Sequence, residues 1–156
     1  MKYWIGLFGL TGIDIAIKRY LDKKLENKEK KAYLHSKLII QKHHNTGAIL
    51  DSFQSKKQMI YSMSYVLIGM YLVLFAKEKQ GIKKTGLLLA LSGALSNAID
   101  RMQLGYVMDY FSIVIGKLKH IIFNLGDIFL FVGMTLLVIA GFVEPEDKCT
   151  EKRIDL

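Results

Sequence analysis

The feature that most constrains this chain is the separation of its apolar residues from its charged ones. Four apolar stretches alternate with lysine-rich segments, so a hydrophobic share of 51% coexists with a formal net charge of +8. A helix needs about 20 residues to cross the roughly 30 Å hydrocarbon core of a membrane. The pattern therefore predicts an all-α membrane protein with four transmembrane helices; two long helices in a soluble bundle are the alternative. The expected helices are at about 3–20, 59–76, 85–101 and 121–143.

We expect residues 1–143 to form a single membrane domain, with a polar loop at 21–58 and a polar C-terminal tail at 144–156. Asp14 interrupts the first apolar stretch and no small-x-small cleavage pattern follows, so a retained helix is expected rather than a cleaved signal. The single cysteine, Cys149, excludes a disulfide within one chain.

The polar residues within or beside the apolar stretches favour one side of the predicted membrane domain. Consecutive helices cross in opposite directions, so the end of helix 1, the first loop, the end of helix 3, the third loop and the start of helix 4 share a side. Inserting a helix with one ionisable group into the membrane costs about 2.5–3.5 kcal/mol more on insertion scales. A group of polar and ionisable residues on one side of the domain therefore indicates a functional site. The residues on this side are Asp14, Lys18, Asn45, Asn97, Asp100, Arg101, Asp109, Asn124 and Asp127.

The spacing of these residues suggests contacts but leaves alternatives open. Asp14 and Lys18 are four apart, with the acid first, as in a helical ion pair, and a structural role is the alternative to a functional one. Asp100 and Arg101 are either part of a site or only a cap and a membrane-surface anchor. Asp109 and Asp127 have apolar neighbours. Two such acids brought together would share one proton, and could activate a water and protonate a leaving amine. Spacing alone leaves their meeting open.

Five short segments of the chain form a recognisable set of motifs: "DIAIK" (14–18), "HHNTGA" (43–48), "SGALSNAIDR" (92–101), "GYVMDYF" (105–111) and "FNLGD" (123–127). In this order they resemble the signal peptidase II family, the lipoprotein signal peptidases of bacteria. The resemblance covers nearly the whole chain, and the five segments together are far more specific than any one of them.

The resemblance implies a fold and an activity. The fold is four transmembrane helices with a small extramembrane β/loop cradle and a short interfacial segment between helices 3 and 4. The activity is that of an aspartyl endopeptidase, without metal or cofactor, that cleaves prolipoproteins before the diacylglyceryl-cysteine. The catalytic pair maps onto Asp109 and Asp127. The positions expected to support the pair or bind substrate are Asn45, Gly47, Gly93, Asn97, Asp100, Arg101, Asn124, Asp14 and Lys18.

The chain also departs from the family pattern. Ser92 and Ser96 stand where the family usually has glycine, Gly126 replaces an alanine, and Ile128 replaces a serine. Both candidate catalytic acids are kept, which favours an active enzyme. The alternative is a catalytically altered or inactive paralogue that acts as a membrane binding protein. The signatures of membrane phosphatidyl transferases and of presenilin-type proteases are not matched.

The expected location is the bacterial inner membrane, with the site toward the outer face and membrane lipids as further partners. The charge pattern conflicts with this orientation, because the first loop carries nine lysines and the second only four. We follow the resemblance, since the order of motifs is more specific, and expect the lysine-rich loop to lie against anionic headgroups. Nucleic acid is not expected as a partner. A metal site formed by His43, His44 and Asp51 is disfavoured.

Overall fold

The computed structural model describes residues 1–26, 30–35, 37–46, 57–116 and 121–143, with the backbone alone at residues 57, 58 and 60. Gly47 and the tail 144–156 lie outside the described residues. The fold is mostly helical, with one small antiparallel sheet. In chain order its elements are α1 (Lys2–Lys24), β1 (Lys30–Tyr33), β2 (Leu38–Asn45), α2 (Lys57–Lys77), α3 (Ile82–Leu104), β3 (Val107–Ile113) and α4 (Leu125–Val143).

Helix α3 is the centre of the helical part, because it packs against α1, α2 and α4. At the end remote from the sheet, α1, α2 and α3 enclose an apolar cluster of Leu7, Phe75, Leu87 and Leu91. Trp4 packs edge-on against Phe75, with ring centroids 4.9 Å apart. Most buried polar residues lie toward the other end of α1 and α3, beside the sheet, while Lys84 is buried at the start of α3, where its ammonium donates to the carbonyl oxygens of Phe75 and Glu78.

Glycines let α3 and α4 approach closely. A Cβ atom added at Gly93 would lie 2.0 Å from the carbonyl oxygen of Gly126, and one at Gly133 would lie 2.4 Å from the backbone nitrogen of Ala90. Each position excludes any side chain, because real Cβ atoms do not come that near to backbone atoms. Gly93 therefore permits the close helix approach that its place in the sequence predicts.

The sheet has the order β1-β2-β3, with both pairs antiparallel. A register shift between Ile40 and His43 sets the last part of β2, so that His43 faces Asp109 and Asn45 faces Val107 across the strand pair. Residues directly opposite each other on neighbouring strands share a face of the sheet. The sheet thus brings a part of the lysine-rich first loop against the segment that joins α3 to α4.

That joining segment differs in detail from the prediction. It forms strand β3 of the sheet, and α4 begins at Leu125 rather than at Ile121. The helix starts later because the Phe123 backbone pairs with that of Phe111, through Phe123 N–H to Phe111 O at 2.7 Å and Phe111 N–H to Phe123 O at 3.0 Å. Residues held in a β-bridge cannot also take the helical conformation.

All four predicted helices are present in the described chain. Among them, Leu125–Val143 has the length and the mean hydropathy, 2.2, of a membrane span, and the apolar stretch Tyr61–Lys77 of α2 is shorter. Helices α1 and α3 do not reach the mean hydropathy expected of a membrane span, because their charged residues lower it. Large apolar side chains nevertheless face outward on α2 and α4, including Val66 at 64% exposure and Phe142 at 86%. An outer surface of this kind suits a lipid environment.

Candidate active site

Asp109 and Asp127 line one cavity, although they stand on different elements. Asp109 is in the middle of β3 and only 3% exposed, and Asp127 is in the first turn of α4. The cavity has a volume of about 960 Å³ and is bounded by α2, α3, α4 and the sheet. The structure therefore brings together the two acids whose meeting the sequence alone leaves open.

Asp127 is held by the way α4 begins. The side-chain oxygen of Asn124 accepts a hydrogen bond from the Asp127 backbone N–H at 2.9 Å, and the Asn124 backbone N–H donates to Asp127 Oδ2 at 3.0 Å. This reciprocal pair has the form of a capping box, in which residues three apart satisfy each other at a helix N-terminus. The spacing in "FNLGD" thus fixes one carboxylate oxygen of Asp127.

Asn124 also joins the two acids. While its Oδ1 caps α4 beside Asp127, its Nδ2 donates to Asp109 Oδ1 at 2.7 Å. The second oxygen of Asp109 accepts a hydrogen bond from Asn45 Nδ2 at 3.0 Å. Asn124 is fully buried, so these contacts do not compete with bulk water. One amide therefore sets the relative position of both carboxyl groups.

The ionisation of Asp109 is displaced by its surroundings. Removal from water, together with the negative charge of Asp127, raises the pKa of Asp109 from its usual 3.8 to about 7. The hydrogen bonds from Asn45 and Asn124 act in the opposite direction, because they stabilise the ionised form. The pair can therefore hold one proton between its two carboxyl groups near neutral pH.

Asn97 presents its amide nitrogen to the remaining oxygen of Asp127. Its Nδ2 donates to Asp127 Oδ1 at 2.9 Å, and its Oδ1 accepts from Lys18 Nζ at 2.7 Å. An ammonium group can only donate, so Lys18 fixes which end of the amide faces the acid. The interpretation of Lys18 as only structural is therefore too narrow, because the lysine orients a direct partner of Asp127.

Lys18 is fully buried in a cluster of charges behind the cavity, together with Asp14 and Asp100. Its Nζ is 2.9 Å from Asp14 Oδ2 and 3.3 Å from Asp100 Oδ2, and Arg19 Nη1 is 2.9 Å from Asp100 Oδ1. The predicted i,i+4 pair of Asp14 with Lys18 is confirmed. Asp100 pairs with α1 instead of acting with Arg101 as an anchor. It also accepts from the Met108 backbone N–H at 3.3 Å, which ties the strand of Asp109 to α3.

Arg101 takes a different place from its neighbour Asp100. It lines the cavity, with its guanidinium 5.8 Å from the ring centroid of Tyr61 on α2. Within the described residues its buried Nε has no hydrogen-bond partner. A buried guanidinium N–H without a partner is a donor ready for a ligand's oxygen.

The remaining wall of the cavity is apolar. Apart from Ser64, the side chains from α2 and α4 above Asp127 are suited to hydrocarbon, while the two acids and their amide partners lie at one end, beside the sheet. Such a cavity fits a ligand with a polar centre and long apolar arms. The apolar lining residues include Leu67, Ile68, Tyr71, Leu130, Phe131 and Met134.

Eight of the predicted site residues take part in one connected group, and Arg101 faces the same cavity. Gly93 stands behind the group at the α3–α4 contact, and Gly47 lies outside the described residues, as does Asp51 of the disfavoured metal set. Within the described residues, no three His, Cys, Asp or Glu side chains are grouped as metal ligands. The connected residues are Asp14, Lys18, Asn45, Asn97, Asp100, Asp109, Asn124 and Asp127.

Three further residues contribute to the site without having been predicted from the sequence. Tyr110 accepts a hydrogen bond from the Leu125 backbone N–H at 3.0 Å, and so helps to fix the start of α4. Arg19 pairs with Asp100, and His43 lies in the cavity wall opposite Asp109. The signal for Tyr110 is its replacement of a phenylalanine in the resembling segment. Nothing in the local pattern distinguishes Arg19 from a surface cation.

The geometry allows acid–base chemistry on a bound substrate. Two carboxyl groups that share a proton can take a proton from a water molecule and give one to a carbonyl oxygen or a leaving amine. The amide donors around the pair hold it without adding a charge next to the reacting atoms. The site therefore has the components of hydrolysis by a carboxyl pair.

Comparison with known proteins identifies the family of this chain. The family model of signal peptidase (SPase) II matches residues 7–143. The lipoprotein signal peptidase of Clostridium tetani is 33% identical over 113 residues, which cover 70% of this chain and 71% of that protein. The lipoprotein signal peptidase of Bacillus pumilus is 30% identical over 141 residues, which cover 89% of this chain and 91% of that one.

Two solved structures share the fold. Both are described as bacterial membrane enzymes studied by the in meso method, at 2.3 Å and 1.9 Å resolution. The first superposes with a TM-score of 0.83 at 22% identity and covers 97% of this chain and 93% of that one. The second has a TM-score of 0.80 at 23% identity, with 94% of each chain covered. On the family match and the curated relatives, the chain belongs to the signal peptidase II family.

Proposed function

We propose that this chain is an aspartyl endopeptidase that removes signal peptides from lipid-modified prolipoproteins, with Asp109 and Asp127 as its catalytic pair. Its relatives are lipoprotein signal peptidases. The observation that carries the proposal is that Asn124 bridges the two carboxyl groups at the polar end of an apolar cavity.

The reaction uses the shared proton of the pair. A water molecule between the two carboxyl groups loses a proton to the ionised carboxylate and attacks the scissile carbonyl carbon. The other carboxyl, taken as the protonated Asp109, donates its proton to the carbonyl oxygen. When the tetrahedral intermediate collapses, the C–N bond breaks, Asp127 gives the proton taken from water to the leaving amine, and a hydroxyl of the intermediate returns a proton to Asp109. No covalent enzyme intermediate forms.

The cavity supports a substrate with a lipid attached beside the scissile bond. The acyl chains of a diacylglyceryl-cysteine lie along the apolar side chains of α2 and α4, and the peptide bond reaches the polar end. The Nε–H of Arg101, which has no partner among the described residues, donates to a carbonyl oxygen of the substrate. Recognition of the lipid would then position the peptide for cleavage before the modified cysteine.

The proposed setting is the bacterial inner membrane, crossed by all four helices, with the site at the outer face. The charged residues of α1 and α3 are compatible with spanning because their charges are paired inside the protein: Asp14 and Lys18 with each other, and Asp100 with Arg19 and Lys18. The apolar outer surfaces of α2 and α4 would face lipid.

The test is cleavage of a lipidated prolipoprotein peptide by the purified full chain in detergent, with the product identified by mass spectrometry. Asp109→Asn and Asp127→Asn are compared with Asp22→Asn, a matched control. Asp22 pairs with Lys42 and His44 away from the cavity. We expect the wild type and the control to cleave before the lipidated cysteine, and both pair variants to lose at least about 1,000-fold in rate.

Two results would count against the proposal. Cleavage that survives in either pair variant would remove that residue from the catalytic pair. A folded wild type that binds the lipidated peptide but does not cut it would favour a binding role for this chain instead.

A further inference from the structure

Ser96 departs from the resembling family and nevertheless makes contacts inside the charged cluster. It is fully buried on α3, next to Asn97. Its Oγ donates to Asp14 Oδ2 at 2.6 Å and accepts from Lys18 Nζ at 3.0 Å. The glycine that usually stands here would make neither contact.

Gly126, a second departure, lies beside the same oxygen. A Cβ atom added at Gly126 would lie 2.7 Å from Asp14 Oδ2, nearer than real Cβ atoms come. Its next contacts, 3.0 Å to Asn124 Oδ1 and 3.2 Å to the carbonyl oxygen of Gly93, need only small adjustments. The carboxylate that Ser96 holds therefore fills the space that an alanine methyl group would take.

We propose that Ser96 is a positioning residue of this site, and that Ser96 and Gly126 form a matched pair around the Asp14 carboxylate. The inference rests on the proposed function, because the residue that it positions, Asp127, belongs to the proposed catalytic pair. It adds a specific requirement of this chain: the serine and the glycine depend on each other.

The effect of Ser96 reaches Asp127 through Lys18 and Asn97. The ammonium has three hydrogens, and its nearest partners are Asn97, Asp14 and Ser96, with Asp100 farther away at 3.3 Å. Without the serine hydroxyl, Lys18 turns toward the carboxylates and leaves Asn97. Asn97 then loses the contact that keeps its Nδ2 on Asp127.

The predicted effect is on turnover rather than on substrate binding. Ser96 lies behind Asn97, and its two side-chain contacts are with Asp14 and Lys18 rather than with the cavity. Its loss therefore leaves the apolar wall and Arg101 in place. We expect Ser96→Gly to lower kcat about tenfold, with KM within about twofold of the wild type. A tenfold change is the rate effect expected from the loss of one hydrogen bond.

The experiment is a double-mutant cycle on the full chain, using Ser96→Gly, Gly126→Ala and the combination of both. We expect Gly126→Ala alone to lower kcat, because its methyl group displaces the Asp14 carboxylate. In the double variant that carboxylate is free to turn away. We therefore expect a kcat at least as high as in Gly126→Ala alone, and well above the product of the two single effects.

Ser92→Gly is the matched control, since it makes the same change one turn earlier on α3. The Ser92 hydroxyl donates to the carbonyl oxygens of Leu88 and Leu7 rather than to the charged cluster. We expect it to lower the melting temperature as Ser96→Gly does, with kcat unchanged.

An unchanged kcat in Ser96→Gly, or single effects that simply multiply, would overturn the inference. If Gly126→Ala alone does not fold, recovery of a folded double variant supports the pair, and continued failure overturns it. If the wild type itself cleaves nothing, the proposed function fails. The melting temperatures of the same four proteins then still decide whether Ser96 and Gly126 are coupled.

Discussion

The pH dependence of cleavage should respond to the hydrogen bond that Asn45 donates to Asp109. This bond stabilises the ionised carboxylate and lowers its pKa, against the effects of burial and of Asp127. Replacing Asn45 with leucine removes the donor and keeps a similar volume. The pKa of Asp109 must then rise, so its protonated form persists to higher pH.

The size of the shift follows from the energy of the bond. A hydrogen bond to a charged group contributes about 1.5–3 kcal/mol, and one pKa unit corresponds to about 1.36 kcal/mol. Asn45 is only partly buried, so we take the lower end, about one unit. The alkaline limb of the kcat/KM profile should move from about pH 7 to about pH 8, because kcat/KM reports the pKa values of the free enzyme.

The assay measures how the wild type and Asn45→Leu cleave a lipidated peptide across a range of pH. The peptide has no groups that titrate between about pH 5 and 9. Gln41→Leu is the control, since Gln41 lies on the same strand and donates to Ser112 instead of to the acids. Its profile should match that of the wild type. An alkaline limb that stays in place in Asn45→Leu, or moves to lower pH, would refute the reasoning, whatever happens to the maximal rate.

Three further predictions concern stability. Gly93→Ala places a Cβ atom 2.0 Å from a carbonyl oxygen of α4, so the melting temperature of this variant in detergent should fall by about 5 °C or more. Gly12→Ala is the control, because a Cβ atom there has nothing within 4 Å, and its melting temperature should stay within about 2 °C of the wild type. Lys18→Met leaves two buried carboxylates without their ammonium partner, so the free energy of unfolding should fall by about 3–5 kcal/mol. The folded species should then be lost on size-exclusion chromatography, and a stable, monodisperse variant would contradict this prediction. For Asp109 the folded pKa lies above the unfolded value, so the folded state binds the extra proton and loses stability as pH rises from about 4 to about 7. The melting temperature of Asp109→Asn relative to wild type should therefore increase over that range, and a constant difference would exclude the assigned pKa.

Much of the fold follows from patterns that are local in the sequence. The apolar stretches are long enough to predict the four helices, and the i,i+4 spacing predicts the pair of Asp14 with Lys18. The alternation of helix directions also predicts that the polar residues share one end. These inferences succeed because they depend on residues within a few helical turns of one another.

The details of the site depend on contacts between distant segments. The start of α4 is set by the bridge of Phe123 to Phe111, and a hydropathy pattern does not contain that bridge. The dependence of Gly126 on Ser96 is likewise invisible in sequence, because the two residues meet only through the carboxylate of Asp14 on a third helix. Such relations need the packed structure.

The pairing of α1 with α3 has a consequence for biosynthesis. The ammonium and guanidinium groups at the end of α1 find Asp100 only on α3, after α2 has been made. In the proposed membrane setting the helices enter in the order of synthesis, so α1 is released with Lys18 paired only to Asp14 and with Arg19 still lacking Asp100. Helix α4, the most apolar of the four, arrives last and brings Asp127. The proposed protease thus has no complete catalytic pair until its final helix is inserted, and the nascent chain cannot cut its neighbours while it is being synthesised.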